Sequence, residues 1–343
     1  MEWLETLKNF YKDKPFTYKY SNDGFKVFIA AFLSTRTRDS VTERVCDKLF
    51  EAVRSFEDLE NIPLEELEEL IKPVGFYKTK AKNLKKIAKI IVSKYGSTLP
   101  DYEDLLKLPG VGEKVASVVY NVLGLGPKIA VDVHVHRIVN RLGLVDTYDP
   151  HETLKALENI VPKELWKDLN STLVVHGQRL CKPLNPLCGQ CPIKDYCKRY
   201  RDFFSFNEIL NNYKFKEIKS IDSLKDQYGT YVLLIRLFDN KRIRFSKNQD
   251  KFFKKGFYIY VGSAKGSPVS LYQRIKRHLS KEKKKHWHID HLLEYGKVKK
   301  IYCTNEIVEC LIAQELSKKG LRFIEGFGSS DCGCRSHLFF IEE

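Results

Sequence analysis

The sequence predicts a multidomain protein, with an all-α domain over residues 1–202, a linker over 203–222 and a small, basic α+β domain over 223–343. Three observations predict it. A chain of 343 residues is longer than one hydrophobic core usually organises. Apolar residues recur at helical spacing through the first two hundred positions, and β-branched and aromatic runs dominate only after them. The charge changes abruptly as well: residues 1–213 carry 32 Lys and Arg against 29 Asp and Glu, whereas residues 214–343 carry 27 against 15.

Each element has its own signal. Residues 27–33 and 41–53 place apolar side chains at helical spacing, 62–67 opens a helix with Pro63 suited to its first turn, and 81–95 repeats the pattern with lysines outward. Residues 102–108 form a short helix that Asp101 caps, and 112–123 a second one. The apolar face of the second carries Val111, Val115, Val118, Val119 and Val122, and its other face carries Lys114, Ser117 and Asn121. Asp132 is placed to cap a helix over 133–142. Beyond the polar stretch around Asn211, residues 231–238, 241–245 and 256–261 read as strands, and 271–279 and 307–316 as helices.

The net charge of +15 and pI near 9.2 call for a polyanionic partner, nucleic acid before an anionic membrane. No apolar run is long enough to span a bilayer, and the opening Met1-Glu2-Trp3-Leu4-Glu5 lacks the pattern of a secretion signal. The expectation is a cytoplasmic monomer, associated with the nucleoid when bound to DNA. In that compartment nine cysteines favour metal binding over disulfides. Cys181, Cys188, Cys191 and Cys197 follow C-x6-C-x2-C-x5-C, a set of four thiolates that suits tetrahedral zinc or an iron–sulfur cluster. Zinc sites usually show two C-x2-C pairs, and this stretch has one.

The turn Leu108-Pro109-Gly110-Val111-Gly112 lies between two helices. Its glycines let the backbone come close to another chain, and the free N–H groups of the following helix can hold a phosphate. The expected DNA contacts there are Leu108, Gly110, Val111 and Gly112. Lys114 sits in the first turn of that helix, where a cation is electrostatically unfavourable. Burial and the helix dipole both lower a lysine pKa, and a neutral amine is a nucleophile.

The string from Leu108 to Lys114, the segment Ile129-Ala130-Val131-Asp132-Val133-His134 and the loop Gly75-Phe76-Tyr77-Lys78-Thr79-Lys80-Ala81 resemble the endonuclease III family of helix-hairpin-helix DNA glycosylases. The resemblance covers about residues 1–200. It implies base excision repair of double-stranded DNA that holds damaged bases or abasic sites. Oxidised pyrimidines would be removed by Lys114 as Schiff-base nucleophile with Asp132 beside it, and the strand cut by β-elimination. It also implies one 4Fe–4S cluster on the four cysteines, in a loop that presents Lys182 to phosphates. Where the family usually has a gap-filling glutamine, this sequence has Arg36.

In the second domain, Gly229-Thr230-Tyr231 and Tyr260-Val261-Gly262 resemble the paired strands of the GIY-YIG nucleases, with an extra hairpin between them. That resemblance implies a site of Tyr231, Tyr260, Arg274 and Glu309, with Glu315 an alternative glutamate for a divalent metal. Cys332, Cys334 and His337, with a histidine from His286, His288 or His291, form a candidate zinc set. The basic run Arg274, Lys276, Arg277, His278, Lys281, Lys283, Lys284 and Lys285 reads as a phosphate contact. Two other readings stand beside the glycosylase: a non-enzymatic DNA-binding protein, which needs neither Lys114 nor Asp132, and a glycosylase fused to an active metal-dependent nuclease, which needs Glu309.

Overall fold

A computed structural model describes residues 1–246, 249–266, 269–280 and 282–343; of the expected basic run, Lys281 lies outside the described residues. The chain divides into two compact units, Met1–Val139 with Val145–Ile193, and Asn140–Leu144 with Lys194–Glu343. Among the described residues no helix is long and apolar enough to cross a membrane.

The first unit is helical: α1 Glu2–Phe10, α2 Gly24–Leu33, α3 Asp39–Ala52, α4 Phe56–Asn61, α5 Leu64–Leu70, α6 Tyr77–Tyr95, α7 Tyr102–Leu105, α8 Glu113–Leu123, α9 Val133–Leu142, whose last residues from Asn140 on count with the second unit, α10 Pro150–Ile160 and α11 Trp166–Arg179. Helix α2 is apolar nearly all round, with every side chain from Val27 to Leu33 buried, as expected of a helix at the centre of a core. It packs against α3 and α8, so the end of α2 meets the start of α8. Helix α6 buries Ala81, Leu84, Ile87, Ala88 and Ile91 on one stripe and begins four residues before the apolar pattern does. Lys80 explains the difference. Its side chain is buried, and its ammonium donates to the carbonyls of Leu33, 2.8 Å away, and Thr35. Pro63 precedes α5 as its cap rather than lying in its first turn.

The second unit is an antiparallel sheet with helices on both faces. Its strands are β1 Lys216–Glu217, β2 Gly229–Leu237, β3 Lys241–Ser246, β4 Gln249–Phe253, β5 Gly256–Ala264, β6 Gly296–Thr304, β7 Arg322–Phe323 and β8 Leu338–Glu342. Six form a sheet in the order β1-β6-β2-β5-β8-β7, and β3 pairs with β4 as the expected extra hairpin. The helices are α12 Lys198–Asn212, α13 Leu271–Leu279, α14 His288–Leu292 and α15 Glu309–Lys318. Side chains alternate across the central strands. Tyr231, Leu233 and Ile235 pack with Leu271, Ile275 and Ile289 on one face, while Val232 and Leu234 pack with Ile312 and Leu316 on the other. Burial on both faces makes these strands read as continuous apolar runs.

The segment expected as a linker is not one. Helix α12 covers its first half, and Phe206, Ile209 and Leu210, at helical spacing, are buried in the core of the second unit. The polar look of residues 203–222 comes from the solvent face of that helix and the loop after it.

Candidate functional site

Lys114 is placed by the hairpin between α7 and α8. Gly110 has φ +79, and a Cβ there would lie 2.7 Å from the Asn83 side-chain nitrogen, so only glycine fits the turn. Gly112 precedes α8 on the open surface. Two of the four expected contact residues are different in kind: Leu108 and Val111 are buried in the helical core, which leaves only their backbone to face a ligand. The two glycines supply the accessible part of the turn.

The half-buried Lys114 side chain reaches the end of α2, where its Nζ donates to Ser34 Oγ at 2.9 Å. Burial lowers its pKa, opposed by the charges of Asp132 and then Asp39. Asp132 caps α9: one carboxylate oxygen accepts from the N–H of His134 and of Val135, both at 2.9 Å. The approach to Asp132 is held from two sides. Asn121 on α8 clasps the backbone of Lys128, at 2.9 Å from its N–H and 2.7 Å from its C=O, and Asn170 on α11 donates to Ala130 O at 2.9 Å. His134, next along, has its pKa lowered chiefly by burial. The site therefore sets an amine tilted toward neutrality against a carboxylate whose other oxygen remains available.

Two residues near this amine stand out at the surface. Arg36 is exposed, with left-handed backbone at φ +52. Phe76 has φ +59 and is 62% exposed, a large apolar side chain with no core to fill. The Arg36 guanidinium lies over the Phe76 ring, 5.3 Å from its centroid. Such backbone costs bulky residues about 1 kcal/mol or more and concentrates at functional sites. Sequence reasoning singles out Arg36 and misses Phe76; an aromatic directly after Gly75 in a loop was the available signal.

Cys181, Cys188 and Cys191 belong to the first unit, and Cys197, the cap of α12, to the second. All four thiols are partly exposed. The surroundings of the first three suit metal-bound thiolates. His176 points Nε2 at Cys191 Sγ, 3.7 Å away, and holds its other nitrogen on Tyr11 Oη at 3.0 Å. Arg137 donates to Cys181 O at 2.9 and 3.1 Å. Outer donors of this kind stabilise negative sulfur and orient the ligands. Lys182 is exposed beside them.

In the second unit, Tyr231, Tyr260, Arg274 and Glu309 all line one cavity of about 430 Å³, with Lys265, His278 and Trp287. The register pairs Tyr231 with Gly262, and a Cβ at Gly262 would collide with the Tyr231 ring at 2.4 Å, so this glycine makes room for the tyrosine. Tyr231 Oη is 2.7 Å from His278 Nε2, and the Arg274 guanidinium stacks 4.7 Å above Trp287. Burial raises the Tyr231 pKa well above its ordinary value and lowers that of His278 to about 3. Burial would raise Glu309, but His337, Ser263 and Lys265 outweigh it and hold the carboxyl below its ordinary range. The alternative Glu315 lies elsewhere, accepting from Tyr213 Oη at 2.7 Å.

Two expectations for this unit are corrected. The basic run is only partly a free surface: Arg277 donates to both oxygens of the buried Asp290 at 3.0 Å, Lys283 lies 3.5 Å from the same carboxylate, and His278 is buried. Lys276, Lys284 and Lys285 remain exposed. No histidine of His286, His288 and His291 joins Cys332, Cys334 and His337. Cys310 does, and the four ligand atoms lie within 4.8 Å of one another. His288 Nδ1 instead accepts from Gly328 N at 3.0 Å.

Residues 29–163 match the family model described as HhH-GPD superfamily base excision DNA repair protein, residues 181–197 the iron-sulfur binding domain of endonuclease III, and residues 230–343 the domain of unknown function DUF123. Endonuclease III of Thermotoga maritima is 48% identical over 180 residues, covering 52% of this chain and 84% of the relative. Endonuclease III of Bacillus subtilis is 41% identical over 176 residues, covering 51% and 80%. Among solved structures, a non-covalent endonuclease III–DNA complex is similar with a TM-score of 0.55 at 34% identity, over 59% of this chain and 94% of that one. A trapped endonuclease III–DNA covalent intermediate is similar with a TM-score of 0.51 at 37% identity, over 53% and 86%.

Proposed function

The chain belongs to the endonuclease III family, and from that premise we propose that it is a bifunctional DNA glycosylase and abasic-site lyase of base excision repair, working on duplex DNA as a cytoplasmic monomer. The observation that carries the reading is Lys114: an amine with a burial-lowered pKa, in the first turn of α8, under the influence of the Asp132 carboxylate. The turn at Gly110 and Gly112 binds the phosphate backbone, and Arg36 and Phe76 enter the stack where the damaged nucleotide has been flipped out. The neutral amine attacks C1′ of the sugar and the base departs. Asp132 stabilises positive charge developing on the sugar and relays protons from the nitrogen. Loss of a C2′ proton from the Schiff base then expels the 3′ phosphate. An oxidised pyrimidine is the substrate that the family and Lys114 together favour.

The four cysteines fit one 4Fe–4S cluster, which would fix the loop that presents Lys182. Its part is structural, and no step of the reaction passes through it. The second domain adds affinity through its exposed lysines. One observation favours a further activity: Tyr231, Tyr260, Arg274 and Glu309 converge on one cavity, which supports a GIY-YIG-like site with a divalent metal on Glu309.

Borohydride reduction in the presence of an abasic duplex tests the main reading. The wild-type protein should be trapped covalently and Lys114→Ala should not. A trapped Lys114→Ala variant would reassign the nucleophile.

A further inference from the structure

We propose that the second domain holds a structural zinc ion on Cys310, Cys332, Cys334 and His337, a site separate from the iron–sulfur motif and from the Glu309 cavity it borders. Cys310 lies in the first turn of α15, while the other three come from the loop that leads into β8. Two chain segments more than twenty positions apart thus bring four soft or borderline donors within 4.8 Å of one another. Tetrahedral zinc has Zn–S near 2.3 Å and Zn–N near 2.0–2.1 Å, which sets a sulfur–nitrogen edge at about 3.5 Å and a sulfur–sulfur edge at about 3.8 Å. Cys332 Sγ lies 3.5 Å from His337 Nε2.

The second nitrogen of His337 completes the argument. His337 is 1% exposed, and its Nδ1 faces Glu309 Oε1 at 3.2 Å. A metal-bound histidine nearly always turns its other nitrogen to a carboxylate or carbonyl, which fixes its tautomer. Without a metal this arrangement leaves three thiols crowded beside an imidazole. Zinc displaces the three thiol protons to solvent, with no oxidation or reduction, and the site then carries one net negative charge. Four protein ligands close the coordination shell, so the ion has no open position for a reactant. Its role is to pin the loop before β8 to α15 and, through His337, to hold the Glu309 carboxylate in the cavity wall.

Metal analysis of the purified full-length protein by plasma mass spectrometry tests this. One zinc per chain is expected, in addition to iron. Cys310→Ala and Cys332→Ala should each reduce zinc to background with iron unchanged, and His288→Ala should retain zinc. Should those variants not fold, the wild type decides. Cobalt grown into the site should show the ligand-field bands of a tetrahedral ion and sulfur-to-cobalt charge transfer, seen as a difference spectrum against zinc-loaded protein. Wild type with full iron and no zinc, zinc undiminished in Cys310→Ala, zinc lost in His288→Ala, or a disulfide among the three cysteines by intact mass would each overturn the proposal.

Discussion

Asp132 has two separable duties, and substituting it divides them. As the cap of α9 it accepts two backbone N–H groups at 2.9 Å. Asparagine caps as well as aspartate, whereas alanine in place of a cap costs about 1 kcal/mol. Removing the negative charge from the helix N-terminus costs a further 0.3–1 kcal/mol or so in either variant. Asp132→Ala should therefore melt below Asp132→Asn by about 2–4 °C for a domain of this size. The charge has the second duty. It raises the pKa of Lys114 against the dominant effect of burial, so its removal leaves burial less opposed and more of the amine neutral. If supplying neutral amine were the only need, Asp132→Asn would be the faster enzyme, and the acid limb of its pH profile would move to lower pH. A carboxylate that also acts in the transition state should produce that shift together with a plateau lower by about 10²–10⁴-fold, the size of a lost acid–base group. The assay is single-turnover base release and borohydride trapping across pH, beside thermal melts of both variants. A plateau at or above wild type for Asp132→Asn would refute the transition-state role, and equal melting of the Asn and Ala variants would refute the cap.

Purified protein should be brown with about four irons per chain, and Cys188→Ser should lose both colour and iron; stoichiometric iron in that variant would remove Cys188 from the ligand set. Asp290→Ala leaves Arg277 and Lys283 without their buried partner, and should destabilise the second domain by about 3–5 kcal/mol in denaturant melts; a loss below about 1 kcal/mol would show the cluster to be solvated. His278 titrates near 3 when folded, chiefly through burial, and near 6.5 when unfolded, so the unfolded chain takes up the proton first and stability falls between those values as pH drops. Hydrogen exchange in β2 and β5 should report that fall, and His278→Gln should flatten it; an unchanged acid slope would contradict the burial argument.

The first domain was legible because its signals are local. A glycine turn between two helices, a lysine in the first turn and four cysteines within seventeen residues each declare themselves without tertiary knowledge. That Tyr231, Tyr260 and Arg274 share a cavity follows from the two motifs and the helix after them, whereas the sequence leaves Glu309 and Glu315 open and only the fold brings Glu309 to it. What escaped depends on distant pairing. Cys310 is a single cysteine in an ordinary helix, and only the fold brings it to Cys332 and Cys334. Strand β6 is unread because its lysines at 297, 299 and 300 and a bulge at Lys299 break the alternation, although Val298, Ile301 and Cys303 pack into one core and Tyr302 into the other. Arg277, Lys283 and His278 looked like free positive charge, because sequence alone does not reveal a buried Asp290.

The match to the second family begins at residue 230, but the main stretch of the second compact unit begins at Lys194, and Asn140–Leu144 also belong to it. The difference matters to anyone who cuts the gene. A fragment started at the family boundary would lack α12, so Val232, Leu234 and Ile259 would lose the cover of Phe206, Ile209 and Leu210. It would also lack β1, which leaves β6 as a bare sheet edge, a template for pairing with other copies. Such a fragment should precipitate or associate, and its misbehaviour would say nothing about the activity of the intact domain. The longer piece keeps both covers, with its first helix taken from what looks like the tail of its neighbour.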